Sequence, residues 1–160
     1  MPEIVDLTPA DASELTTLYR EYNWWADRDV EDVCQALEST DVAVGLRNSS
    51  GGDDDDRLVA AARVVTDFVY YAMVYDVIVA ADRRGEGLGD ALVSTVVGHA
   101  ELAELPRLAL LARRGLIPYY ESVGFEVFDQ EIDVPEGGTE ELVRMTYEYE
   151  RSDPDDEARD

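Results

Sequence analysis

The chain contains no lysine: all 13 of its basic residues are arginine, against 37 aspartates and glutamates. A P-loop, which needs a Lys after its last glycine, is therefore excluded. A net charge of −24 also argues against nucleic-acid partners, which require basic patches that displace counterions. Cys34 is the only cysteine and His99 the only histidine, so no intrachain disulfide can form and no His/Cys metal site is expected. No apolar run approaches the ~18 residues of a membrane span. Residues 1–6 carry neither the basic nor the apolar stretch of a leader peptide. A cytoplasmic protein with no metal and no membrane partner is expected.

What is present argues for a folded domain. Apolar residues make up 46% of the chain and fall in periodic runs, unlike the composition of disordered acidic chains. One α/β domain is expected over residues 1–150, followed by a charged, disordered tail at 151–160. The acids should then coat a folded surface. That excess, without lysine, resembles the composition of halophilic cytosolic proteins. In molar salt the Debye length falls to about 3 Å, which mutes self-repulsion.

A strand is expected at 3–8, then a helix started by Thr8 and Pro9 and running to about Tyr22. A second helix follows at 30–39. Strands at 42–46 and 58–66 flank a polar tip at 48–56, whose Asp53–Asp56 run reads as a solvated turn. Residues 70–80 read as a central buried strand, apolar on both faces except for Asp76. A long helix at 88–105, a short strand at 108–112, a short helix at 117–122 and strands near 126–128 and 142–150 complete the pattern.

Arg84-Gly85-Glu86-Gly87-Leu88-Gly89 lies between the central strand and the long helix. Glycines allow close backbone approach to a ligand, and a helix N-terminus directs N–H groups and positive dipole toward an anion. The spacing is G-x-G-x-G in mid-chain, which fits poorly with the G-x-G-x-x-G of a dinucleotide site opening a βαβ unit. Arg84, Gly87 and Gly89 instead satisfy R-x-x-G-x-G, which resembles the pyrophosphate loop of the GNAT superfamily of N-acetyltransferases. Downstream, Tyr119-Tyr120-Glu121-Ser122-Val123-Gly124-Phe125 resembles that family's F-Y-x-x-x-G-F motif. The two motifs occur in the family's order and spacing, and the resemblance covers most of the chain.

The resemblance implies a single-domain mixed α/β fold, with a mostly antiparallel sheet flanked by helices and the Gly-rich loop after the central strand. It implies acetyl-CoA as co-substrate, a primary amine acceptor (small molecule or protein) and direct transfer in a ternary complex. A non-catalytic acyl-CoA sensor is the alternative. Tyr120 would be the general acid to the CoA sulfur; a phenol of pKa about 10 suits a thiolate of pKa near 8.5 once positioned. Tyr119, in the Phe place, reads as packing. Backbone N–H groups of Val77, Ile78 and Val79 would face the thioester oxygen. The loop Arg84, Gly85, Glu86, Gly87, Leu88 and Gly89 would hold the pyrophosphate.

Arg113 stands seven residues before Tyr120, where many family members carry a cofactor-contacting Asn, and would reach a CoA phosphate instead. Asp76, the lone ionisable group in an apolar strand, is a candidate general base if burial raises its pKa. Trp24, Trp25 and Arg28 would border the acceptor pocket, with hydrophobic stapling of the first two helices as the alternative for the tryptophans. His99 reads as structural. A homodimer is possible through sheet or helix edges, with Tyr147 and Tyr149 taking part.

Overall fold

The computed structural model describes residues 2–48 and 56–150. Most of the polar tip and the 151–160 tail therefore lie outside the described residues. Strands β1 (Glu3–Asp6), β2 (Val42–Arg47), β3 (Leu58–Thr66) and β4 (Ala72–Val79) pair antiparallel in chain order. A short β5 (Ala109–Leu110) joins β4 in parallel. Among the described residues four α-helices accompany the sheet: α1 (Ala12–Tyr19), α2 (Val30–Glu38), α3 (Leu88–Val97) and α4 (Ile117–Ser122).

Local chemistry sets several of these boundaries. Thr8 and Asp11 cap each other's backbone across a 3-10 turn at Pro9–Asp11 that leads into α1, a reciprocal arrangement that satisfies two otherwise orphaned N–H groups. The Asp29 side chain accepts from the Asp32 N–H at 2.8 Å and starts α2. The helix expected over 88–105 stops at Val97, with Gly98 as its C-cap and turns following to Leu105. Glycine is among the poorest helix formers, so the chain leaves the helix there. The His99 imidazole accepts from the Glu101 N–H within these turns.

β3 shows why the sheet has helices on both faces. Leu58 through Ala62 are consecutive and none is more than 4% exposed. Successive side chains point to opposite faces, so both faces must be covered. α1 packs on β3 and β4, and α3 lies across β2, β3 and β4.

The chain divides into two compact units, Met1–Phe125 and Glu126–Asp160. In the second, the strands expected near 126–128 and 142–150 do not form. A hairpin of β6 (Glu131–Asp133) and β7 (Thr139–Glu141) forms instead, as a separate two-stranded sheet. Gly137 and Gly138, both with positive φ, turn it. The Val143, Met145, Tyr147 and Tyr149 side chains are exposed. No helix among the described residues is long and apolar enough to cross a membrane.

Candidate active site

The site begins with an irregularity in β4. Ala61 pairs with Ile78 and Arg63 with Tyr75, so Asp76 and Val77 together oppose Ala62. This two-against-one register is a β-bulge. Asp76 takes φ +56° there, a left-handed conformation that Asp tolerates better than most residues. On the other edge, β4 pairs with β5 only at Met73 and Val74. Beyond the bulge, Val77, Ile78 and Val79 have no strand partner on the β5 side. Next to this opening, Val74, Val77, Leu92, Val93, Leu110 and Phe125 line a wholly apolar pocket.

The loop after β4 supplies the next component. Gly85 and Gly87 have φ +80° and +81°, and a Cβ at either would meet nothing within 4 Å. They are glycines for conformation, and the space beside them is open. Gly87 is the N-cap of α3 and brings no capping side chain, leaving the first helical N–H groups available to an anion.

Gly89 is glycine for a different reason. A Cβ there would lie 2.8 Å from the Tyr119 hydroxyl. That hydroxyl is buried and finds no hydrogen-bond partner of ordinary geometry. Burial, with the neighbouring Asp90 carboxylate adding, pushes the Tyr119 pKa up to about 12. The Tyr119 ring packs against that of Tyr120, and its hydroxyl lies buried between Gly89 and the Asp90 carboxylate. Open glycines and uncapped amides together fit a phosphate-bearing ligand such as acetyl-CoA.

The loop's charges are partly committed. Arg83 Nε donates to Glu86 at 2.5 Å, so Glu86 answers an arginine rather than facing a phosphate unopposed. Arg84 lies with its guanidinium 4.8 Å from the Tyr22 ring centre, and its Nε donates to the Tyr22 hydroxyl at 3.0 Å. Tyr22 in turn donates to the Val79 carbonyl at 2.5 Å. One buried tyrosine thus ties the turn after α1 to both the end of β4 and the glycine loop. Leu88 is buried and anchors α3 to the core.

The same turn carries the tryptophans. Trp24 and Trp25 sit in a 3-10 turn at Asn23–Trp25. Trp24 is 57% exposed, with the Arg113 guanidinium 5.7 Å from its ring centre. Trp25 packs against Tyr19 and the core. Trp25 is thus placed as the stapling alternative would have it, while Trp24 is largely exposed with its ring 5.0 Å from that of Tyr22.

Arg28 lies 4.6 Å from the Tyr19 ring centre and 5.0 Å from that of Trp25. It reaches across to Asp76, donating from Nη1 and Nη2 at 3.0 and 3.2 Å. Arg63 on β3 donates from Nε to the same carboxylate at 2.7 Å and from Nη1 to Thr40 at 3.0 Å. Burial alone would raise the Asp76 pKa and is the largest single influence. The hydrogen bonds and charges of Arg28 and Arg63 together outweigh it and hold the carboxyl below its usual range. The raised pKa on which Asp76's candidacy as a base rested is thus corrected: two guanidinium groups keep it ionised. Burial, and then the Asp76 charge, push the adjoining Tyr19 phenol up to about 12.

Arg63 was missed from sequence. The available signal was a lone charge in the apolar run of β3, matching the lone charge of β4.

Tyr120 is buried on α4, with its ring edge-on to Phe125 at 5.8 Å. Burial raises its pKa, and nearby Arg113 moderates the rise, so the phenol is protonated and able to donate at neutral pH. Among the described residues, no group of three or more His, Cys, Asp or Glu side chains is arranged to hold a metal ion.

Comparison with known proteins agrees with this geometry. Residues 4–125 match the model of the acetyltransferase (GNAT) family, and the chain belongs to that family. That family uses acetyl-CoA as co-substrate and acts on amine acceptors. It is 27% identical over 101 residues to a Pyropia yezoensis protein named uncharacterized N-acetyltransferase ycf52, covering 63% of this chain and 57% of that one. A Xanthomonas campestris crystal structure assigned to the GNAT family is 28% identical, with a TM-score of 0.60 over 79% of this chain and 86% of that one. Glucosamine-6-phosphate N-acetyltransferase from Arabidopsis thaliana shares the fold, with a TM-score of 0.65 over 94% and 99% of the two chains at 14% identity. The chain spans 25% of the length of a curated Arabidopsis thaliana relative and 62% of that of one from Prochlorococcus marinus.

Proposed function

We propose that the protein transfers the acetyl group of acetyl-CoA directly to a primary amine while both substrates are bound. One observation carries this reading: β4 parts from β5 at a bulge, immediately before a glycine loop that leads into an uncapped helix. Unpaired strand backbone and helix N–H groups in continuous sequence suit a ligand with an amide-rich arm and a pyrophosphate.

In this reading the loop amides from Gly85 to Gly89 hold the pyrophosphate, with the remaining donors of Arg84 and Arg113 adding charge. Backbone N–H groups among Val77, Ile78 and Val79 stabilise the negative charge that develops on the thioester oxygen. The amine nitrogen forms a bond to the carbonyl carbon, and the carbon–sulfur bond breaks. Tyr120 gives its proton to the departing sulfur. The proton lost by the amine passes to water, because the hydrogen bonds from Arg28 and Arg63 make the Asp76 carboxylate a weak proton acceptor. The acceptor lies toward Trp24, Trp25 and Arg28. The protein works in the cytoplasm at high salt, where its charge is screened.

Calorimetric titration of acetyl-CoA in about 2–3 M KCl, where screening is nearly complete, followed by CoA release with a panel of primary amines, tests the reading. One-to-one binding with turnover is expected. Binding without turnover on any amine would favour an acyl-CoA sensor, and a folded sample that binds nothing would overturn the proposal.

A further inference from the structure

The carboxylate at the bulge has no part in the proton transfer proposed above, yet it accepts three hydrogen bonds from two arginines. Asp76 sits in a left-handed conformation at the point where β4 changes register. Its side chain is 9% exposed and meets two guanidinium groups from different parts of the fold. Arg63 comes from the partner strand, and Arg28 from the segment that carries Trp24 and Trp25. Arg28 is itself sandwiched by Tyr19 and Trp25. A two-pronged grip on both carboxylate oxygens fixes orientation as well as distance. Asp76 can move only if the bulge, β3 and the tryptophan turn move with it.

We propose that Asp76 is a positioning residue whose clamp by Arg28 and Arg63 holds the β4 bulge open and locks it to the tryptophan turn, so that order on the acceptor side fixes the Val77–Val79 backbone. The proposal rests on the acetyltransferase reading for what that backbone binds. The groups facing the carboxylate are Arg28, Arg63 and the Tyr19 phenol, with Thr40 behind Arg63. The arrangement makes the bulge a junction: a residue that touches neither substrate sets the geometry presented to both.

Asp76→Asn separates this role from the alternatives. Asn keeps the shape and tolerates the left-handed conformation, but it lacks the charge that grips two arginines. The full chain is titrated with acetyl-CoA by calorimetry, and backbone amide exchange is followed in peptides covering 20–29 and 75–80. Asp76→Asn, Arg28→Gln and their double variant are compared with wild type. Each single variant is expected to weaken acetyl-CoA binding about five- to tenfold and to speed exchange in both segments. The double variant should be no worse than either single one, as for residues acting as one unit. Where turnover is measured, Asp76→Asn should lower kcat/KM yet keep the acidic limb of the pH profile, which loss of a general base would remove.

Wild-type affinity and exchange in Asp76→Asn would overturn the clamp. So would additive effects of the two substitutions, faster exchange confined to one segment, or loss of the acidic limb. A wild type that fails to bind acetyl-CoA would instead defeat the acetyltransferase reading, and the exchange data would still report whether the clamp exists.

Discussion

The glycine loop and the β4 bulge are near neighbours in the chain, but they are built by opposite means. The loop is shaped by its backbone: two left-handed glycines, open space where Cβ atoms would be, and a helix start with no capping side chain. The bulge is shaped by side chains: one carboxylate, two guanidinium groups and the aromatic rings that flank one of them. Backbone that must approach a ligand closely cannot be crowded, so its order comes from conformational preference. Backbone that must stay apart from a neighbouring strand has to be held, and charge-assisted hydrogen bonds hold it. Tyr22 links the two, bonding the Val79 carbonyl on one side and Arg84 on the other.

The largest expected effect lies beyond both regions and checks that they serve one reaction. Tyr120→Phe should lower kcat by about 10²–10⁴, the usual contribution of a positioned acid, while leaving acetyl-CoA affinity near wild type by calorimetry. An unchanged kcat would remove Tyr120 from the chemistry and leave it as an aromatic packed on Phe125.

Next comes the loop itself. Gly87→Val places a β-branched residue at φ +81°. The left-handed conformation costs roughly 1–2 kcal/mol for an L-residue, and more when branched. Acetyl-CoA affinity should therefore fall at least about tenfold. Gly87→Asn should fall less, since Asn visits that region. If the two variants bind equally well, the loop's conformation is not what binds the ligand, and its contrast with the bulge collapses.

The loop and the bulge also differed in how far the sequence revealed them. The loop and the Tyr120 segment are local, so order and spacing were enough to identify them, and the four first strands and four helices followed from periodicity and caps. The clamp is made by residues at 28, 63 and 76, brought together only by the pairing of β3 with β4 and the path after α1. Asp76 looked like a base because burial was visible as an apolar run, while its partners were not. The strand pattern at 142–150 was equally clear in sequence. Alternation supplies a face to bury, however, and not a partner, whereas Gly137 and Gly138 supply a turn that closes a hairpin locally.

A third test distinguishes the glycines. Gly89→Ala should destabilise by about 1–3 kcal/mol, as overpacking does, because its Cβ meets the Tyr119 hydroxyl at 2.8 Å. Adding Tyr119→Phe removes that oxygen and should restore most of the melting temperature. Without rescue, the tight contact is not what requires a glycine there.

The smallest effect concerns acid, and its sign follows from the clamp. The folded-state pKa of Asp76 is depressed by Arg28 and Arg63. The ionised carboxylate therefore contributes stability that is fully present above its unfolded pKa of about 3.9 and is lost as pH falls toward the lower folded value. The chain's other acids work the other way: at −24, protonating exposed carboxylates relieves repulsion, and salt hides much of it. Absolute stability against pH thus mixes two opposed trends. The difference between wild type and Asp76→Asn isolates one of them, because the exposed acids are common to both. In denaturant titrations at fixed high salt, that difference should be constant from about pH 7 to pH 5 and should narrow below about pH 4. A difference that persists unchanged to the lowest pH at which both fold would mean that the aspartate's charge is not what the arginines hold.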